Sequence, residues 1–236
     1  MSKTLKALSA LLTYPTSELQ QAAGEISEAL EGDTLIPARI RGQLHTLLSE
    51  FASGDLYDLQ ERYVLLFDRT RTLSLHLFEH VHGESRDRGQ AMIDLKSQYE
   101  QAGLAMSAAE LPDFVPLFLE YLATQPLKEA CQTLGQPAHI FAAMAERLRK
   151  RQSSYEGVFR ALIALSAAKP KDEEVSALLE LPDPEATDLA ALDAAWADEP
   201  VHFGPGAGDG CKDGLIARVR GALRPAPDMP RPNPRL

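Results

Sequence analysis

Up to about residue 168 apolar side chains recur three and four positions apart, the period of a helix with one face turned inward. In the first segment Leu5, Leu8, Leu11 and Leu12 mark that face. The same spacing predicts helices over 3–13, 17–31, 37–52, 55–67, 85–102, 113–124, 127–134, 137–152 and 155–168. Between them stand helix breakers and turn formers: Tyr14-Pro15, Gly32-Asp33, Ser53-Gly54-Asp55, Gly103, Leu111-Pro112-Asp113, Gln125-Pro126 and Gly135-Gln136-Pro137. Asp55 and Asp113 fall where a carboxylate accepts hydrogen bonds from the free N–H groups of the following turn, so both are expected to cap helices. The 113–124 helix is apolar nearly all round and carries Pro116 in its first turn, which marks it as the central buried helix. Few β-branched runs and no Asn-Gly turn oppose strands. The expected fold is all-α: a single bundle of about eight or nine helices with short connections and a flexible C-terminal tail.

After Lys169-Pro170 the pattern changes. Residues 172–199 hold ten acids and no Lys or Arg, and residues 201–236 carry six basic residues against three acids. VHFGPGAGDGC has four glycines, and LRPAPDMPRPNPRL five prolines. The expected organisation is a helical domain over 1–168, an acidic linker over 169–200 with a short helix near 188–197 presenting Trp196, and a disordered Gly/Pro-rich basic tail over 201–236.

Charge and composition narrow the function. The net charge is −10, and residues 1–168 carry 16 Lys and Arg against 21 Asp and Glu. An acidic body argues against nucleic acid as the main ligand and favours basic partners. Cys131 and Cys211 are the only cysteines, too few for a disulfide framework or a thiolate cluster. No apolar run approaches the length of a membrane helix. The N-terminal leucines read as an amphipathic helix, not a signal peptide, so the expected location is the cytoplasm, without direct membrane insertion. Phosphate-loop, dinucleotide and serine-hydrolase motifs are absent.

The densest chemistry lies in HLFEHVHGESRDRG, residues 76–89, and it supports three readings. His76-Leu77-Phe78-Glu79-His80 fits the H-x-x-E-H zinc-peptidase pattern, in which a continuous helix sets two imidazoles on one metal and the glutamate acts as base. That reading also needs a third ligand, for which Glu146 and His139 are only nominal candidates, and Gly83 interrupts the helix. In the second reading Glu84 and Asp87 open a solvated helix and Arg88 pairs back one turn to Glu84. The third is a peptide-binding surface: Tyr63, Leu66, Phe67, Leu73 and Phe78 lead into the polar segment, a mixture suited to an amphipathic helix with basic residues. Tyr63 and Phe67, at i and i+4, read first as core.

With its flanks the stretch runs ERYVLLFDRTRTLSLHLFEHVHGESRDRGQAMIDLKSQYEQAGL, residues 61–104. It closely resembles the NarJ type of assembly chaperone for respiratory nitrate reductase, within the all-helical TorD/DmsD-like family of redox-enzyme maturation proteins. The resemblance continues through LPDFVPLFLEYLATQP, more loosely across residues 1–168, and into VHFGP. It implies a non-catalytic cytoplasmic chaperone with no stably bound cofactor. Such a protein binds the N-terminal segment of the catalytic α subunit of nitrate reductase. It keeps the apoenzyme competent to receive the molybdenum bis-molybdopterin guanine dinucleotide cofactor and delays its membrane anchoring. Carried onto this chain, the peptide-binding candidates are Tyr63, Phe67, Leu73, His76, Phe78, Glu79, His80, His82, Glu84, Arg86, Asp87 and Arg88. Glu79, Glu84 and Asp87 are expected to face the client's Lys or Arg residues. Related members carry an E-P-x-D-H form where this chain has GESRDRG. A zinc hydrolase and a helical module for a folded partner remain the alternatives.

Overall fold

Amphipathic segments that cannot bury an apolar stripe alone pack against one another here as helices, with one isolated bridge, His76 to Phe114, among the described residues. The computed structural model describes residues 2–32, 34–81, 86–106, 110–184 and 188; of Ser2, Arg86 and Asp87 it describes the backbone alone. All belong to the first of the two units into which the chain divides, Met1–Leu189; the second is Ala190–Leu236. Beyond its first residue the expected helix at 188–197, with Trp196 and the tail, therefore lies outside the described residues.

The helices are α1 (Ser2–Leu11), α2 (Ser17–Gln21), α3 (Ala23–Glu31), α4 (Ala38–Ser53), α5 (Leu56–Tyr63), α6 (Arg86–Gln101), α7 (Val115–Thr124), α8 (Leu127–Leu134), α9 (Ala138–Lys150), α10 (Glu156–Leu165) and α11 (Asp172–Leu179). Eleven among the described residues exceed the expected eight or nine for two reasons. The 17–31 segment breaks at Ala22, and a helix forms at the head of the acidic stretch. There Asp172, Glu173 and Glu174 occupy the first turn of α11, where negative charge favours the helix dipole.

α1 lies against α7 and α3, α4 against α3 and α10, and α9 between α10 and α11. Leu5, Leu8, Leu11 and Leu12 turn inward as their spacing predicted, and Phe118, Leu119 and Leu122 of α7 join the same core. The close α4–α10 contact requires glycine at 157, since a Cβ there would stand 2.9 Å from that of Gln43. Asp55 caps α5 as expected, accepting from the Tyr57 N–H at 2.9 Å.

α6 is held differently. Of its described side chains only Tyr99 is buried; its hydroxyl donates to the Pro112 carbonyl at 2.7 Å and its ring lies 4.8 Å from that of Tyr121. Gly103, at φ +78°, follows the helix in the left-handed region that suits glycine. No helix among the described residues is long and apolar enough to cross a membrane.

Candidate functional site

The site forms where α5 runs into an irregular stretch. After Tyr63 the helix widens to a π turn over Val64–Asp68, closed by the Arg69 N–H on the Val64 carbonyl at 2.9 Å. Such widened turns concentrate at functional sites. They also rotate the side chains that follow. Tyr63 and Phe67 enter the core, with ring centres 5.0 Å apart and Phe67 5.0 Å from Tyr155. The Tyr63 hydroxyl donates to the Leu12 carbonyl at 2.9 Å. Leu73 is fully buried. These three apolar candidates therefore form the floor beneath the site and no open groove; a peptide could reach them only by parting the bundle.

The loop above that floor is organised by Asp113. Sequence reasoning expected this carboxylate to cap the helix over 113–124, but α7 starts after Phe114 with no side-chain cap. Asp113 turns back instead and is 0% exposed. Its Oδ2 accepts the Phe78 N–H at 3.0 Å and its Oδ1 lies 3.3 Å from His76 Nδ1. The backbones join as well: the Leu77 N–H donates to the Asp113 carbonyl and the Val115 N–H to the Leu75 carbonyl. The fully buried carboxylate needs these loop donors in place of water, since an unpaired buried acceptor bears the full cost of desolvation.

His76 and His80 are not on one helical face. His76 has extended backbone, and a single 3₁₀ turn over Leu77–Glu79 follows it. The ring of His76 stacks 5.4 Å from that of Phe114, and the hydrogen bond to Asp113 holds its pKa above the ordinary histidine value against the opposite pull of burial. His80 directs Nε2 to the Ser74 carbonyl at 2.9 Å, and burial pushes its pKa below the ordinary value. The alternative H-x-x-E-H reading loses its basis: the continuous helix that would set two imidazoles on one metal is missing, and each ring serves a different protein partner. Among the described residues no group of three or more His, Cys, Asp or Glu is placed to hold a metal ion.

Glu79 and Arg88 link the loop to α6, with Nη2 3.7 Å from Oε1 and both side chains about a quarter to a third exposed (25% and 30%). At 3.7 Å and partial exposure this is a weak pair. Phe78 packs at the edge of the core, Val81 is 53% exposed at the end of the loop, and Ile93 is 63% exposed on α6. His82 and Glu84, and the side chains of Arg86 and Asp87, lie outside the described residues. The polar candidates that are described thus gather on one loop and the adjoining start of α6, above the buried aromatic floor. Sequence reasoning missed the loop contacts of Ser74, Arg147 and Asp183 and gave Asp113 a different role. Asp113 and Arg147 are set apart by the burial of a charge and Asp183 by its pairing with two arginines, and neither leaves a periodic trace.

The family described as Nitrate reductase delta subunit matches residues 16–161, and this chain belongs to that family. The chain is similar to the nitrate reductase molybdenum cofactor assembly chaperone NarJ of Escherichia coli K12, with 42% identity across 92% of this chain and 93% of the relative. It is 37% identical to the probable chaperone NarW of the same organism, across 84% of this chain and 83% of that one. A solved structure of a putative redox enzyme maturation protein from Archaeoglobus fulgidus is a more distant likeness. It covers 69% of this chain and 91% of its own, at 20% identity and a TM-score of 0.49.

Proposed function

We propose that this chain is a non-catalytic assembly chaperone for nitrate reductase. In this reading it works in the cytoplasm, captures the N-terminal segment of the catalytic α subunit and keeps the apoenzyme open for insertion of its molybdenum bis-molybdopterin guanine dinucleotide cofactor. The observation that carries it is the 42% identity with the Escherichia coli chaperone across nearly the whole of both chains. The loop chemistry supports the mode of capture. Glu79 pairs with Arg88 at 3.7 Å, and it stands on an acidic body that attracts a basic amphipathic segment. Exposed apolar side chains such as Val81 offer area that a client helix would cover, at about 25 cal/mol per Å² before the cost of ordering the peptide. His76, Phe78, His80 and Arg88 surround that contact, and His82, Glu84, Arg86 and Asp87 extend it along the chain. Tyr63, Phe67 and Leu73 support it from below.

Calorimetry of the full chain with a peptide of the α-subunit N-terminus tests the reading. Charge reversal at Glu79, Glu84 or Asp87 is expected to weaken binding by about tenfold each, mainly through the loss of complementarity to Lys or Arg. Unchanged affinity removes the reversed residue from the site, and a wild-type protein that binds no peptide defeats the reading.

A further inference from the structure

The head of the acidic stretch reaches back to the floor of the loop. Asp183 lies just after α11, beyond the residues 16–161 that the family matches. Arg151 grips its carboxylate in bidentate fashion, Nη1 to Oδ2 at 2.7 Å and Nη2 to Oδ1 at 2.9 Å. The Thr72 hydroxyl donates to the same carboxylate. Arg147 faces it too, with Nε 3.8 Å from Oδ2.

Arg147 is the reason this contact is more than a surface ion pair. Its side chain is 1% exposed, and its Nη groups donate to the Thr72 carbonyl at 3.1 Å and the Leu178 carbonyl at 2.5 Å. Its buried Nε has no hydrogen-bond partner. A guanidinium taken out of water needs a countercharge, and the carboxylate in ion-pair range of it is that of Asp183. Pro182 and Pro184 bracket that residue, fixing φ on one side and biasing Asp183 itself towards extended backbone. The carboxylate is therefore delivered by a stiff segment.

From Thr72 the connection to the client loop is two residues long. Ser74 follows the 3₁₀ turn Arg71–Leu73; its hydroxyl accepts the His76 N–H at 3.2 Å and its carbonyl meets His80 Nε2 at 2.9 Å. We propose that Asp183 is a positioning residue for the client site: it latches α11 onto α9 and, through Thr72 and Arg147, holds the 71–80 loop in the shape that presents Glu79 and His80. This rests on the capture reading given above and assigns to the acidic segment a part in regulating that site. When the latch is closed the loop is ordered for capture; when Asp183 lets go, Thr72 loses its side-chain anchor and Arg147 its countercharge.

Hydrogen exchange and peptide calorimetry on the full chain test this with Asp183→Asn, Asp183→Glu and Thr72→Val. Asp183→Asn is expected to speed exchange of the amides in 71–80 by about tenfold or more, leave α1 and α7 protected, and weaken peptide binding in step. Thr72→Val should loosen 71–80 while 172–184 stays protected, since Arg151 still holds Asp183; it also carries the test if Asp183→Asn unfolds the bundle. Asp183→Glu should recover part of both effects. Unchanged exchange across 71–80 in Asp183→Asn and Thr72→Val, with loosening confined to 172–184, overturns the proposal. So does faster loop exchange with undiminished affinity for a peptide that the wild type binds. A wild type that binds no peptide defeats the capture reading instead, and the exchange pattern then still decides whether Asp183 holds the loop.

Discussion

α6 and α7 are both regular helices, yet they are held in place by different means. In α7 Val115, Phe118, Leu119, Leu122 and Ala123 are buried against α1 and α8, so the position of the helix is set by the core. In α6 Tyr99 alone is buried among the described side chains, and the turns carry their own support: Gln90 Nε2 donates to Asp94 at 2.8 Å and Lys96 lies 3.9 Å from Glu100. A helix can thus form through local bonds and remain loosely attached. Segments of that kind open at free energies well below that of the whole domain. α6 begins beside the Glu79 loop, at the Arg88 contact, and is anchored at its far end.

Three changes would break or sharpen that contrast. The largest effect is expected from Phe118→Ala in α7, a loss of about 3–5 kcal/mol in urea denaturation, while Ile93→Ala on α6 should stay within about 0.5 kcal/mol. Equal costs would erase the distinction. Next is Tyr99→Phe, which removes the hydroxyl bond to Pro112 at a cost of about 1 kcal/mol. Hydrogen exchange should then quicken along α6 and leave α7 unchanged; a uniform rise would mean that the two helices open together.

The smallest effect concerns pH. His76 has its pKa raised by Asp113, so the stabilisation from that pair is fully present below the unfolded-state histidine pKa and is lost as pH rises through the folded value. Against His76→Gln, the wild type should gain relative stability on going from pH 8 to pH 5, as a modest shift of the denaturation midpoint. His80 shifts the other way because burial disfavours its charge, so NMR titration should find it protonating at lower pH than His76. The reverse order would show that the loop takes another shape in solution.

Much of the fold was legible. The nine periodic segments all return as helices, with the 17–31 segment split in two, and Leu5, Leu8 and Leu11 mark the inward face of α1 as their spacing said. Periodicity reports burial of one face, which is a local property. The density of charge and imidazole in 76–89 picked out the candidate site in the sequence, but not the contacts its residues make. Asp113 looks like a helix cap in the sequence and acts as a buried clamp on the loop, because capping and clamping call for the same side chain. Asp183 looked like one acid among ten, and only the approach of Arg147 on α9 and of Arg151 just after it singles it out.

The sequence by itself determined the all-helical class, most helix boundaries and, through residues 61–104, the family resemblance that the wider comparison bears out. The tertiary structure decided that His76 and His80 serve separate partners, that Tyr63, Phe67 and Leu73 are buried in the core, and that Asp183 meets Thr72 across more than a hundred residues of chain (|i−j|=111). Helix periodicity and motif spacing are written within a few turns of chain. The countercharge of a buried arginine or carboxylate is chosen by packing between distant segments, and it exists only once the chain has folded.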